Sequence, residues 1–87
     1  MAKAELNMID RLSEVMFEKH GLKYAYGIVR CPGECGFPIN ITVTEDGSFK
    51  VGHNVLRDFK IEGVAEYVSR RHRFLVKRAM IRANRRG

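Results

Sequence analysis

The chain has 87 residues, of which 45% are hydrophobic and 30% charged, and a net charge of +6. That length suits one domain of the usual ~100–150 residues and leaves no material for a second core, so large multi-domain catalysis and most cofactor-binding folds are excluded. With two prolines and no apolar run near the ~20 residues of a membrane span, the chain is neither disordered, fibrous nor membrane-spanning. The opening MAKAELNMIDRLSE lacks the apolar stretch of a signal peptide, and a cytoplasmic location is expected.

In residues 4–20 the apolar positions Met8, Ile9, Leu12, Val15 and Met16 follow the i, i+4, i+7, i+8 spacing of a one-sided helix, with Asp10, Glu14 and Glu18 turned outward. Gly21 is its expected stop, and His20 beside it complements the negative end of the helix dipole. LKYAYGIVR then sets Leu22, Tyr24, Tyr26 and Ile28 on one side at period two, a strand. Cys31 to Pro38 holds two prolines and two glycines in eight residues and reads as a compact turn without a regular element.

Ile39 to His53 is the most legible hairpin. A three-residue loop, Glu45-Asp46-Gly47, pairs Thr44 with Ser48, Val43 with Phe49, Ile41 with Val51 and Ile39 with His53, with Gly47 in the left-handed conformation. A shift by one residue sets Val43 against Lys50, so the bulged register is preferred. On that register His53 faces the core. Asn54 to Lys60 is a connection in which Asn54 or Asp58 offers a helix cap.

From about Ile61 to Arg82 helical spacing returns, with Ile61, Val64, Ala65, Val68, His72, Leu75, Val76 and Ala79 on one stripe. A helix continuing to Arg86 is about 37 Å long at ~1.5 Å per residue, longer than such a domain is wide, so its last turns project or fray. The expected whole is one α+β domain over residues 1–87: a first helix, a three-stranded antiparallel meander, and a long basic helix packed on the sheet.

Charge is one-sided. Residues 1–68 carry eight basic against ten acidic residues, whereas residues 69–87 carry Arg70, Arg71, Arg73, Lys77, Arg78, Arg82, Arg85 and Arg86 with no acid, a local charge of +8. Seven of the eight are Arg, whose planar fork suits phosphates and base edges better than the point charge of Lys. Stepping ~100° per residue reveals a second face, Tyr67, Phe74 and Ile81 at seven-residue intervals among Arg71, Arg78, Arg82 and Arg85. On a helix bound to DNA or RNA the Arg residues neutralise phosphates while Tyr67 and Phe74 stack on unpaired bases. The alternative is that these rings pack against the first helix or a second copy. The protein is then an interaction or assembly module whose basic helix docks on an acidic protein surface or forms a homodimer. A membrane-surface role is disfavoured, because anionic lipid repels the acidic body of the domain.

Cys31 and Cys35 flank a tight Gly/Pro turn able to aim two thiolates at one ion, with three intervening residues where two are usual. The remaining Cys and His residues are His20, His53 and His72. Since His53 and His72 are both expected to face inward, Cys31, Cys35, His53 and His72 form a candidate set for one structural zinc, which would supplement a thin core. The alternatives are no cofactor, with two inert thiols in a reducing compartment, or a redox or disulfide role for the pair. The stretch CPGECGFPINITVTEDGSFKVGHN, residues 31–54, also resembles the core of the WRKY/FAR1-type zinc fingers. Those carry two Cys, a strand, an acidic-Gly turn, a strand and a His-Asn-His ending, and bind DNA through their last strands. The resemblance implies Cys31, Cys35 and His53 as ligands; Val55 stands where the final His belongs.

Enzyme signatures are missing: no phosphate loop with its Lys, no His-Glu-x-x-His, no Ser in a nucleophile turn. A dyad of His53 with Asp58, or of Cys31 with His53, would lack the deep pocket catalysis needs. No catalytic residue is therefore expected.

Overall fold

The computed structural model describes residues 3–33 and 36–86, with side chains over 8–33 and 36–83. Its element order is α1 (Lys3–His20), β1 (Lys23–Ala25), β2 (Ile28–Arg30), β3 (Gly36–Pro38), β4 (Ile41–Val43), β5 (Phe49–Val51), β6 (Asn54–Leu56) and α2 (Ile61–Arg86). The expected α+β order of helix, antiparallel meander and long basic helix holds, with the strands divided into two three-stranded sheets, β1-β2-β3 and β4-β5-β6.

α1 forms where its apolar spacing demands, burying Leu12 and Met16 against Val64, Ala65 and Val68 of α2. Gly21, at φ 67°, ends it: the Gly21 amide still donates to the Phe17 carbonyl at 3.0 Å, and the Leu22 amide turns back to that of Met16 at 3.2 Å. Only a residue without Cβ enters that conformation at little cost.

Residues 22–30 are a hairpin, not the single strand that period two suggests. Tyr26 and Gly27 both take positive φ, 52° and 73°, as a two-residue type I′ turn requires, and Ala25 comes to face Ile28. Tyr26 thereby leaves the apolar face and is 100% exposed. The Gly27 carbonyl accepts from the Ile39 amide at 2.9 Å. The span expected to be turn alone also supplies a strand, since Gly36–Pro38 pairs with β2. Pro38 lacks an amide hydrogen but sits on an edge strand, where none is needed.

The next hairpin has the expected register: Ile41 pairs with Val51 and Val43 with Phe49, Gly47 is at φ 83°, and the Thr44 amide donates to the Ser48 carbonyl at 2.8 Å. The Ser48 amide and Thr44 hydroxyl both donate to the Asp46 carboxylate within the loop. The pairing of Ile39 with His53 does not form. Gly52, at φ 61°, opens a two-residue turn of the Gly-x kind that sends the chain back as β6, so Val51 faces Asn54 and His53 is exposed at the tip. The segment read as a connection therefore contains a strand. Neither Asn54 nor Asp58 caps α2; the first helical bond is from the Val64 amide to the Lys60 carbonyl, at 3.0 Å.

The two sheets share one core. Tyr24, Val29 and Phe37 line the inner face of the first, Ile41, Val51, Phe49 and Leu56 that of the second, and the Ile41 amide donates to Tyr24 Oη at 3.3 Å across them. α2 covers this core with Val64, Ala65, Val68 and His72 buried, then with Leu75 and Val76 half-buried. From Lys77 to Ala83 every residue is exposed, Ala79 of the expected core stripe included. The molecule measures 48 × 23 × 22 Å, and the long dimension accommodates the projecting end of α2, which spans ~39 Å at ~1.5 Å per residue.

Candidate nucleic-acid interface

Six of the eight cations of residues 69–87 have described side chains, Arg70, Arg71, Arg73, Lys77, Arg78 and Arg82, and all six are exposed. Arg85 and Arg86 lie on α2 with side chains outside the described residues. The pattern follows from helix geometry, since the buried stripe uses one side of α2 and the basic residues occupy the rest.

The six are not equivalent. Arg70 Nη2 meets Glu66 Oε1 at 2.7 Å, one helical turn back, so its charge is already partnered. Arg71 and Arg78 instead flank Phe74, their guanidinium carbons 5.6 and 5.7 Å from the ring centroid. Phe74 is 49% exposed and braces both, one about a turn before it and one about a turn after, so that two rotamer-rich side chains are held about two turns apart. Arg73 and Lys77 lie on the other flank of Phe74, where they border a shallow depression that also includes Glu66 and Arg70.

The rings of the seven-residue stripe divide. Tyr67 is half-buried, packs on the core, and its Oη accepts from Asn54 Nδ2 at 2.8 Å. Phe74 and Ile81 stay about half exposed on one face, and Met80, about 100° round the helix from Ile81, is 62% exposed.

The four candidate zinc ligands are distributed as follows. His72 is buried, Cys31 is half-buried after β2, His53 is exposed in the β5–β6 turn, and Cys35 lies outside the described residues. His53 therefore points away from the core position that its strand pairing implied. Among the described residues no three His, Cys, Asp or Glu side chains converge on one point. His72 makes an edge contact with Phe37, centroids 5.6 Å apart, and neither ring nitrogen has a hydrogen-bond partner. Desolvation pushes its pKa below the ordinary 6.5, leaving a neutral ring.

Sequence reasoning missed a groove between α2 and the β5–β6 turn, bordered by Asn40, His53, Asn54, Tyr67 and Arg71. The signal was the Gly52-His53 pair, a two-residue hairpin turn once Val51 and Asn54 are seen as facing each other. No family model, no curated protein and no solved structure matches the chain.

Proposed function

We propose that the protein binds nucleic acid and catalyses nothing, with α2 as the contacting element. The observation that carries this is the cluster of eight cations and no acid in residues 69–87, on a helix whose end stands clear of a body that is itself net negative. An Arg set of this kind neutralises phosphates and releases their counterions, and the acidic body gives the encounter a direction. Arg71 and Arg78, braced on Phe74, are the strongest phosphate ligands; Arg73, Lys77 and Arg82 add to them, and Arg70 contributes less while Glu66 holds it. A cytoplasmic setting belongs to the same proposal.

The test is binding of labelled single- and double-stranded oligonucleotides by the native protein and by the Arg71→Ala/Arg78→Ala variant. Clearly weaker binding by the variant is expected, and equal binding contradicts the assignment. A second reading, a protein-interaction module or homodimer, is favoured by the exposure of Phe74, Met80 and Ile81 together. It predicts self-association that Ile81→Ala abolishes and oligonucleotides leave unchanged.

A further inference from the structure

We infer that the groove between α2 and the β5–β6 turn takes one unpaired nucleobase of a single strand whose phosphates lie on Arg71 and Arg78. This rests on the nucleic-acid binding proposed above and specifies its substrate class.

The groove has a volume of about 300 Å³, within the range of small-ligand sites. Its floor is apolar, made by Ile39, Val51 and Leu75, two of them buried core residues. Its rim is polar and free of carboxylates: Asn40 and the turn residues His53 and Asn54 face Tyr67 and Arg71 of the helix. The register explains the placement, because Asn54 shares the inward row of the second sheet with Val51 and Ile41 and so reaches the core edge at Tyr67.

A flat apolar body with hydrogen-bonding edges and an attached anion meets all of these features. The two Asn amides offer both donors and acceptors, as base edges require. Asn54 Nδ2 is used on Tyr67, while Asn54 Oδ1, the Asn40 amide and the His53 ring have no partner among the described residues. Arg71 supplies the cation, and it belongs to both places, lining the groove and standing 5.6 Å from the Phe74 centroid. A strand with a base in the groove thus has its backbone led along the Arg71, Phe74 and Arg78 row.

Duplex is a poor occupant. A paired base presents only its groove edges and stays stacked, whereas entry here needs it splayed out with its edges free. A free mononucleotide fills the groove but reaches Arg71 alone, so the strand is the tighter ligand.

The experiment titrates the full chain into a single strand carrying 2-aminopurine, the matched duplex, and a competing mononucleotide, then repeats this with H53A and Asn54→Ala. Both substitutions lie at the exposed β5–β6 turn, and the second removes the amide from the groove without changing the net charge beside Arg71; circular dichroism checks the fold. The expected result is a 2-aminopurine fluorescence change with the single strand. Either variant should show about tenfold weaker single-strand binding, the worth of one or two hydrogen bonds, with duplex affinity within about twofold. Equal affinity for both forms, untouched by either variant, overturns the groove assignment and leaves nucleic-acid binding standing. A mononucleotide that competes as tightly as the strand overturns the strand as occupant. Absence of binding to any oligonucleotide overturns the underlying function as well.

Discussion

The edge of Phe37 meets the buried ring of His72 at a centroid distance of 5.6 Å and an interplanar angle of 75°, and no hydrogen bond supplements that contact. An imidazole buried among carbon atoms is tolerated only while neutral. Its folded pKa lies below the 6.5 of the unfolded chain, so on acidification the unfolded state takes up the proton first. Stability is fully present above about pH 6.5 and is lost as the pH falls from there toward the folded-state value. Urea midpoints at about pH 7.5 and about pH 5.5 should therefore differ, with the lower value in acid. His72→Leu should raise the unfolding free energy at neutral pH by ~1 kcal/mol, with a higher urea midpoint, and shrink the acid loss, since it removes two unsatisfied polar atoms. An unchanged acid response in that variant assigns the titration to another group.

The type I′ turn at Tyr26-Gly27 holds a non-glycine residue in the left-handed region. Asn enters that region more readily than Tyr, and the fully exposed Tyr26 ring packs on nothing. Tyr26→Asn should stabilise the fold by roughly 0.5 kcal/mol. Gly27→Ala should destabilise it by ~1–2 kcal/mol, because a Cβ there adopts a left-handed φ. That Cβ also comes 3.3 Å from Asn40 Oδ1. Thermal melts of the two variants should move in opposite directions.

Leu12 is 1% exposed at the α1–α2 contact. Leu12→Ala should cost ~2–5 kcal/mol, a large share of the ~5–15 kcal/mol that holds a domain together. Met80→Ala, on the projecting end, should change stability by less than ~0.5 kcal/mol. Circular dichroism melts check both, and a comparable loss from Met80→Ala means that α2's end is packed in solution.

Helix positions were legible because 3.6-residue periodicity is a burial signal that long elements repeat several times. The Ile41 to Val51 register was legible for the same reason: a one-residue slip exposes Val43 and Ile41. The short strands were not. Three-residue strands such as Ile28–Arg30 and Asn54–Leu56 carry too little alternation to stand out, and the turns that create them depend on positive φ at Tyr26 and Gly52. Tyr is no turn signal, so residues 22–30 read as one strand. His53 was misplaced as a consequence, because continuing the ladder past Val51 ignores the bend at Gly52. The basic residues were visible in the sequence; the pairing of Arg70 with Glu66 and the bracing of Arg71 and Arg78 by Phe74 required the structure.

Glu66 is the acid nearest the cationic set, at 2.7 Å from Arg70. In Glu66→Gln the guanidinium of Arg70 becomes available to phosphate, and oligonucleotide affinity at low salt should rise several-fold. The gain should vanish in the Glu66→Gln/Arg70→Ala double variant. Anisotropy titrations measure both, and a gain that persists without Arg70 refutes this role for the pair.

Nucleic-acid binding by α2 is tested most directly by the slope of log affinity against log salt for a single-stranded oligonucleotide. Four or more of the helix's cations on phosphate give a slope of about −3 or steeper at ~0.7 per contact, and Arg71→Ala and Arg78→Ala should each make it shallower by about that increment. A slope near zero, or one that neither substitution alters, contradicts the account.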